Sequence, residues 1–119
     1  MEVTELTSGE RLHLWRRREG YTQKRLAKLV KTSQIQVSRW ERDMNSLPLA
    51  MEKRLARLEQ LTLAEKAHVM RRRNKIGVRA LGDDMGISHV SLISGEKGRN
   101  DRYAQAIIDH FRSKEAVYF

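Results

Sequence analysis

The chain of 119 residues contains no cysteine, a single proline and few aromatic residues. Without cysteine it cannot form disulfides, thiolate zinc sites, iron–sulfur clusters or a thiol nucleophile. It also lacks a continuous apolar run of the roughly 20 residues that a membrane helix needs. Its first residues have neither a basic start nor an apolar centre, so the sequence predicts no signal peptide. We expect a protein that works in the cytoplasm and has no membrane partner.

Basic residues are in excess. The chain has 24 Lys and Arg against 15 Asp and Glu, a formal net charge of +9. The excess is shared between the halves, because residues 1–60 hold 13 basic and 8 acidic residues and residues 61–119 hold 11 and 7. This balance favours a polyanion as partner, although the same charge could simply keep the surface soluble.

The sequence repeats itself after 55 positions. Residues 6–43 align with residues 61–98 without a gap, and ten of the 38 pairs are identical. The identical pairs include charged and capping residues as well as apolar ones, among them Thr7/Thr62, Glu10/Glu65, His13/His68, Arg16/Arg71 and Glu41/Glu96. We therefore predict two copies of one unit, a domain over 1–60 and a second, divergent domain over 61–119.

Helical spacing and helix start signals recur in both copies. Each begins with a T-x-x-E capping box, at Thr7 and at Thr62. In the first copy the pattern predicts four helices. The first covers residues 8–19, and the second begins at Thr22 and directs Leu26, Ala27 and Val30 inward. The third begins with a Ser33–Gln36 capping box, and the fourth begins at Ser46 and Pro48, with Met51, Leu55 and Leu58 as its inward stripe. In the second copy it predicts helices over 62–74, 77–85, 88–95 and 102–113. The fold class is all-α, and the apolar residues 116–119 are expected to form either a short C-terminal strand or a segment tucked onto the core.

Two short helices joined by a three-residue turn describe a helix-turn-helix. Residues 22–42, TQKRLAKLVKTSQIQVSRWER, with Arg16, Gly20 and Tyr21 before them, resemble the phage-repressor/Cro-type (XRE-type) helix-turn-helix family. Residues 78–98, VRALGDDMGISHVSLISGEKG, resemble the same family less closely. The resemblance implies two tandem lambda-repressor-like domains and double-stranded DNA as the partner.

The resemblance also implies a role for each matched position. The helix over 33–42 would lie in the major groove and face base edges with Gln34, Ile35, Gln36 and Arg39. Gln23 would lie against a backbone phosphate, and partly buried salt bridges would join Arg16 to Glu41 and Arg71 to Glu96. These residue types suit base readout, because Gln can pair with adenine, Arg with guanine, and Ile can pack on a thymine methyl.

Further cations of the first copy are expected to neutralise phosphates, which positions a protein on DNA without reading sequence. They are Lys24, Lys28, Lys31, Arg42 and Arg18. A plain solvated helix face remains the alternative for each of them.

The second copy departs from the pattern where DNA would be contacted. Val78 stands at the Gln23 position and Ser94 at the Arg39 position, while Asp83 and Asp84 add negative charge. Candidates for DNA contact remain at His89, Val90, Ser91, Lys97 and Arg99. The second copy is therefore expected either to read DNA or to serve as a degenerate helix-turn-helix for packing or dimerisation.

Signatures of catalysis and metal binding are missing from the sequence. The four histidines form no ligand motif, and we interpret His13 and His68 as surface or capping residues. The glycines form neither a P-loop nor a dinucleotide fingerprint, and Ser91 and Ser94 have no recognisable activating base. We expect no enzymatic activity, no cofactor and no metal. A small-molecule ligand is not expected either, since no sensory domain fits in this length.

The leading hypothesis is a sequence-specific, double-stranded DNA-binding transcription regulator. Either its two copies mimic a dimer within one chain, or two chains form a homodimer, which we favour because the two copies differ in their candidate reading residues. It would be a repressor from a phage, plasmid or other mobile element that occupies an operator overlapping a promoter. The alternative is an interaction protein, such as an antitoxin or a phage-encoded inhibitor, that uses the helix-turn-helix for autoregulation.

Overall fold

A computed structural model of the chain describes residues 6–58 and 60–117, and side chains as far as Ser113. Over this part of the chain the fold is all-helical, without a strand, and contains eight helices. They are α1 (Ser8–Arg18), α2 (Gln23–Leu29), α3 (Gln34–Glu41), α4 (Leu49–Leu55), α5 (Leu63–Arg73), α6 (Val78–Met85), α7 (His89–Glu96) and α8 (Asp101–Val117). Among the residues described, no helix combines the length and the apolar content that crossing a membrane requires.

The helices form two compact units, Met1–Gln60 and Leu61–Phe119. The first contains α1–α4 and the second α5–α8. Both units open on the predicted capping box. The hydroxyl oxygen of Thr7 or Thr62 accepts a hydrogen bond from the backbone N–H of the glutamate three residues later. The carboxylate of that glutamate accepts a hydrogen bond from the backbone N–H of the threonine. Each box satisfies two N–H groups that a helix start otherwise leaves without a partner.

The third predicted capping box, at Ser33, forms only in half. Ser33 Oγ accepts from the backbone nitrogen of Gln36 over 3.1 Å, so α3 begins where expected. The side chain of Gln36, however, accepts a hydrogen bond from Asn45 rather than reaching back to Ser33. The prediction was wrong about this side chain, because a local pattern contains no information on a loop residue nine positions away.

The core of the first unit gathers seven buried apolar residues from all four helices and the loop before α4: Leu12, Leu26, Ala27, Val37, Trp40, Leu47 and Leu55. Val30 does not join them and is 36% exposed, which corrects the expectation that it points inward. The reason is that α2 ends at Leu29 and the chain reverses at Lys31.

The fourth helix is shorter than its apolar stripe predicts. It starts at Leu49, after Pro48, and ends at Leu55, so Leu58 lies beyond it and is half-buried. Hydrogen bonds from residue i to i−3, such as Leu58 N to Leu55 O at 3.0 Å, tighten the chain at this end. They satisfy terminal carbonyls without continuing the α-helix.

The second unit has its own helical core. Its buried residues are Ala67, Leu81, Leu92, Ala104, Ile107, Ile108 and Phe111, and four of them come from α8. This helix extends from Asp101 to Val117 over 17 residues, past the predicted end near 113. The strand alternative for the C-terminal segment is therefore wrong for Ala116 and Val117, since no glycine or proline stops the helix before them; Tyr118 and Phe119 lie outside the described residues.

A glycine lets α8 approach α7 closely. At Gly95, an added Cβ would lie 2.7 Å from the backbone nitrogen of Ala104 and 2.9 Å from Cβ of Tyr103. Trp40 stands at the matched position of the first unit and fills the core there with its ring. At this matched position the first unit thus fills the space with the ring of Trp40, whereas in the second unit the backbone of α8 packs directly against Gly95.

Three left-handed turn positions recur at the 55-residue spacing. The pairs with positive φ are Gly20 (73°) with Lys75 (54°), Lys31 (57°) with Gly86 (67°), and Asp43 (58°) with Gly98 (79°). Each pair holds glycine in one unit and another residue in the other. A non-glycine residue pays about 1–2 kcal/mol for this backbone region, so its surroundings must stabilise it there.

Candidate nucleic-acid interface

The pair α2 and α3 is joined by a tight turn whose geometry is locally determined. Thr22 Oγ1 accepts from Arg25 N over 3.1 Å and caps α2. Lys31 adopts the left-handed conformation, and the next residue, Thr32, donates its N–H to Ala27 O over 2.8 Å. Ser33 then caps α3. These bonds fix the direction in which α3 leaves α2.

Side chains proposed for base readout lie on α3. Gln34, Ile35 and Arg39 are exposed, and Ile35 retains 65% of its accessible surface. Their spacing of one and four residues places them on one side of a helix. Val37 and Trp40 are buried on the other side.

Gln36 differs from these three residues because it is half-buried. Its Oε1 accepts from Nδ2 of Asn45 over 3.0 Å. The structure thus places Gln36 at the border of the exposed face and restricts its side chain.

Four of the cationic residues proposed for phosphate contact lie on α2, in the turn and at the end of α3. Lys24 and Lys28 are exposed on α2, Lys31 is exposed in the turn, and Arg42 is exposed at the end of α3. Arg25 is a further exposed cation of α2 that sequence reasoning left out. Since α2 contains no acidic residue, the potential beside α3 is positive.

Two other proposed phosphate ligands are more restricted. Gln23 is half-buried at the first position of α2. Arg18 is exposed on α1, but one of its guanidinium nitrogens donates to the carbonyl of Gln60 over 3.1 Å. Arg18 therefore lies outside the α2–turn–α3 element.

A bidentate ion pair holds α3 to α1. Arg16 places Nε 2.6 Å from one oxygen of Glu41 and a terminal nitrogen 3.0 Å from the other, and it donates a third hydrogen bond to the carbonyl of Tyr21. The Glu41 side chain is almost fully buried. The ion pair therefore links α1, the loop before α2, and the end of α3 in one rigid arrangement.

His13 completes this cluster. Nδ1 of His13 lies 2.6 Å from Oε1 of Glu41, and the histidine is only 9% exposed. The interpretation of His13 and His68 as surface or capping residues is therefore wrong. The cause is a carboxylate 28 residues away that makes burial of the ring favourable, because a buried polar group needs a partner. The missed signal was that His13 and Glu41 both recur in the second copy.

The second unit contains the same cluster. His68 Nδ1 lies 2.5 Å from Glu96 Oε1, Arg71 Nε lies 2.6 Å from Glu96 Oε2, and Arg71 donates to the carbonyl of Ile76. Among the residues described, no three carboxylate or histidine side chains form a group that could hold a metal ion. The clusters are hydrogen-bonded ion pairs inside each unit.

The carboxylates of both clusters are strongly acidic. Burial by itself would raise the pKa of Glu41, but hydrogen bonds from His13 and Arg16 outweigh it and lower the pKa to about 2. In the same way, burial would raise the pKa of Glu96, but hydrogen bonds from His68 and Arg71 outweigh it and lower the pKa to about 2. Both groups are therefore charged at neutral pH, despite being buried.

The surface of the second unit that corresponds to α2 and α3 is less positive. On α6, Arg79 is exposed together with Asp83 and Asp84. Val78, at the Gln23 position, packs against the core of the unit. The carboxylates of α6 would repel a phosphate backbone.

Candidate contacts of the second unit are divided between α7 and the loop after it. Val90 is 64% exposed at the position matching Ile35, whereas His89 and Ser91 are half-buried. Lys97 and Arg99 are exposed. An aliphatic residue and two cations are thus available, but no exposed side chain matches Arg39, since Ser94 is half-buried.

Comparison with known proteins identifies the first of these elements. The family model described as Helix-turn-helix matches residues 12–66, from within α1 to the first residues of α5. No curated protein and no solved structure matches the chain. The matched segment includes α2, the turn at Lys31 and α3, with the exposed and buried faces described above. Residues 12–66 are therefore similar to a helix-turn-helix domain.

Proposed function

We propose that the protein is a sequence-specific regulator of transcription that reads double-stranded DNA through the major groove with α3. It acts as a repressor of a phage, plasmid or other mobile element by occupying an operator that overlaps a promoter. One observation carries the proposal: α3 exposes Gln34, Ile35 and Arg39 while its other side is buried. A rigid helix with free polar and aliphatic groups fits a groove about 12 Å wide.

The charge around α3 supports the same proposal. Exposed cations on α2 and in the turn would neutralise phosphates on both sides of the groove, and each contact would release counterions. The buried Arg16–Glu41 pair supports the orientation of α3 without contacting DNA. Base contacts and phosphate contacts are thus assigned to different residues, which makes them separable by mutation.

Selection of binding sites from random duplexes at near-physiological salt tests this function. The protein should enrich a defined sequence, and Gln34→Ala or Arg39→Ala should relax the preference at one or two bases. Lys28→Ala should weaken binding to all duplexes similarly. Lys53→Ala removes the same charge from an exposed site on α4 and is the matched control. Equal losses on selected and random DNA for all these variants would refute base reading by α3.

For the second unit we propose a divergent copy of the same domain, with residues 1–60 and 61–119 as the two domains. Matched caps, ion-pair clusters and left-handed turns support this assignment. Its acidic α6 favours a role in packing or dimerisation over base reading. Replacement of Val90, Lys97 and Arg99 by alanine decides between them, because a reading unit would lose affinity and a dimerising unit would not.

We further propose that two chains pair on the operator. Two recognition helices must then enter successive major grooves, about 34 Å apart on one face of the duplex. The selected site should be an inverted repeat, and sedimentation of the complex should give two chains per duplex. A selected site without symmetry, bound by one chain, would refute the homodimer.

An interaction protein that uses the helix-turn-helix only for autoregulation is the second candidate function. The observation that favours it is the acidic pair on α6, where Asp83 stands at the position of Lys28 and Asp84 at that of Leu29. A surface that repels phosphate is available to a protein partner instead. An antitoxin or a phage-encoded inhibitor would bind its own promoter and inactivate a neighbouring gene product. Co-expression with the products of adjacent genes, scored by rescue of growth, distinguishes this function from repression alone.

A further inference from the structure

A hydrogen bond between two exposed-face residues carries an inference about sequence preference. Asn45, in the loop after α3, donates from Nδ2 to Oε1 of Gln36 over 3.0 Å. Gln36 is the half-buried member of the four residues proposed for base readout. A glutamine amide can present either its oxygen or its amino group, and it can exchange them by rotating. In the structure Asn45 directs its Nδ2 donor at this oxygen, which leaves the amino group of Gln36 on the side away from Asn45.

The position of Asn45 is itself determined by the fold. Two residues earlier, Asp43 adopts a left-handed conformation, and its carboxylate accepts from Gly9 N over 2.9 Å and from Thr7 Oγ1 over 2.6 Å. Met44 donates its N–H to the carbonyl of Arg39 over 2.9 Å. The loop is therefore tied to the start of α1 and to α3 immediately before Asn45. These bonds hold the backbone of Asn45 beside α3, within hydrogen-bond distance of Gln36.

The second unit uses the matched asparagine for another purpose. Asn100 lies 55 positions after Asn45, and its Oδ1 accepts from Arg102 N over 3.1 Å at the start of α8. The residue that matches Gln36 is Ser91, whose side chain is short. Asn45 has no such capping task, since α4 begins after Pro48 without a side-chain cap. The side chain of Asn45 is thus hydrogen-bonded to the helix before it, whereas that of Asn100 is hydrogen-bonded at the start of the helix after it.

We propose that Asn45 is a positioning residue that sets the base preference of Gln36 by turning its amino group outward. This inference rests on the proposed function of α3 as the base-reading helix. Within the described residues no hydrogen bond engages Nε2 of Gln36, so both of its N–H groups are available to DNA. Gln36 then acts as a donor, in contrast to the adenine pairing expected of a free glutamine, which uses the oxygen and the amino group together.

A donor selects bases whose major-groove edges carry acceptors. Guanine offers the acceptors N7 and O6, and thymine offers O4, whereas cytosine offers only the donor N4–H₂. Adenine has the acceptor N7 but presents the donor N6–H₂ beside it, so the second N–H of Gln36 would meet a donor there. The base opposite Gln36 is therefore guanine or thymine, and cytosine is rejected because two donors would meet. The ligand class of this position is a base with an acceptor edge.

The test reverses the orientation of the amide. In Asn45→Asp the carboxylate only accepts, so Nε2 of Gln36 turns towards residue 45 and Oε1 turns outward. Site selection with wild-type protein should give guanine or thymine at one base, and selection with Asn45→Asp should shift that base towards adenine or cytosine. Fluorescence anisotropy on the two duplexes should show the ratio of affinities changing by roughly three- to tenfold, the range for one hydrogen bond.

Two controls separate orientation from charge and from misfolding. Ser46→Asp adds the same charge at the next exposed residue, so it should weaken binding to all duplexes without changing the preferred base. In a Gln36→Ala background, Asn45→Asp should have no effect on preference. Asn45→Ala should broaden the preference, because the amide then rotates freely.

The outcomes distinguish this inference from the proposed function. If wild-type protein enriches a sequence and Asn45→Asp enriches the same bases, the role of Asn45 is refuted and base reading by α3 stands. If wild-type protein enriches no sequence, the proposed function fails, and the orientation of Gln36 fails with it. A shift at the single base that Gln36→Ala also affects supports both.

Discussion

Nδ1 of His13 lies 2.6 Å from Oε1 of Glu41, and the same carboxylate accepts a 2.6 Å hydrogen bond from Arg16 on its other oxygen. One buried carboxylate thus receives hydrogen bonds from two side chains of α1. His68, Arg71 and Glu96 repeat the arrangement in the second unit. Both units therefore depend on an ionised glutamate in their interiors, and acid should weaken both.

Acid should destabilise the protein through Glu41 and Glu96. Their pKa values are about 2 in the folded state and near 4.5 when the carboxyls are free, so the stabilisation is complete above about pH 4.5 and is lost as the pH falls towards 2. With allowance for solvent screening, each contributes on the order of 2 kcal/mol. Urea unfolding between pH 7 and pH 2.5, followed by circular dichroism, measures this loss.

The matched control is an exposed carboxylate. Glu41→Gln should flatten the dependence of stability on pH between 4.5 and 2.5 relative to Glu19→Gln, which removes an exposed charge from the end of α1. If both variants lose stability in parallel with the wild type as the pH falls, Glu41 is not responsible.

Removing the arginine of the cluster should be costly. Arg16→Met keeps an apolar stem but leaves Glu41 charged in the interior with His13 alone, and we expect a loss of about 3–5 kcal/mol. The double variant Arg16→Met/Glu41→Leu should lose less than the sum of the single variants, since neither partner is then stranded. Tryptophan fluorescence in urea reports this, because Trp15 and Trp40 are the two tryptophans and both lie in the first unit.

An exposed arginine provides the comparison. Arg25→Met changes the same functional group on α2 and should shift the urea midpoint little. A similar loss for Arg16→Met and Arg25→Met would mean that the ion pair contributes no more than a surface charge.

Mutations at the left-handed turn positions should change the free energy of unfolding through backbone strain rather than through side-chain contacts. Within the described residues, nothing lies within 4 Å of an added Cβ at Gly20, yet its φ is +73°. Gly20→Ala should therefore cost about 1–2 kcal/mol. Lys75→Gly, at the matched position, should have the opposite sign and stabilise by up to about 1 kcal/mol. Thermal and urea unfolding of both variants test this, and equal signs would contradict a shared backbone conformation.

Gly95 should resist replacement for a steric reason. An added Cβ would lie 2.7 Å from Ala104 N, so α7 or α8 must move, at a cost of about 1–3 kcal/mol. Ser94→Ala, the neighbouring change on α7, should be nearly neutral. Helix propensity alone would make Gly95→Ala stabilising, so a gain in urea unfolding would show that the two helices do not approach so closely.

Binding to DNA should depend on salt through the cations around α3. Each lost phosphate contact should reduce the slope of log K against log salt by about 0.9. Lys24→Ala, Lys28→Ala and Lys31→Ala should each show this reduction, and Lys53→Ala on α4 should not. Titrations between 50 and 200 mM salt on one duplex measure it. An unchanged slope for Lys24→Ala and Lys28→Ala would place α2 away from the backbone.

Much of the fold follows from local signals. The threonine and serine caps predicted the starts of α1, α2, α3 and α5, because a cap satisfies backbone donors within three residues of itself. The ends were harder to predict. The apolar pattern predicted that α4 ends at Leu58, but it ends at Leu55. It predicted that α8 ends near residue 113, but α8 continues to Val117.

Features that depend on distant partners escaped sequence reasoning. The burial of His13 needs Glu41, and the orientation of Gln36 needs Asn45. Neither partner lies within the one or two turns over which periodicity operates. The repeat contained part of the missing information, since His13 and Glu41 recur together in the second copy, whereas Asn45 lies beyond the gapless alignment.

The three non-glycine residues in left-handed turns differ in how safely glycine could replace them. Glycine could replace Lys31 or Lys75 with relief of torsional strain, because the other unit already makes the same bend with glycine. Asp43→Gly would relieve the strain too, but it would also sever the link from the loop to Gly9 and Thr7. If α3 reads bases as proposed, Asp43→Gly would relieve the backbone but would release the loop that holds Asn45 beside Gln36.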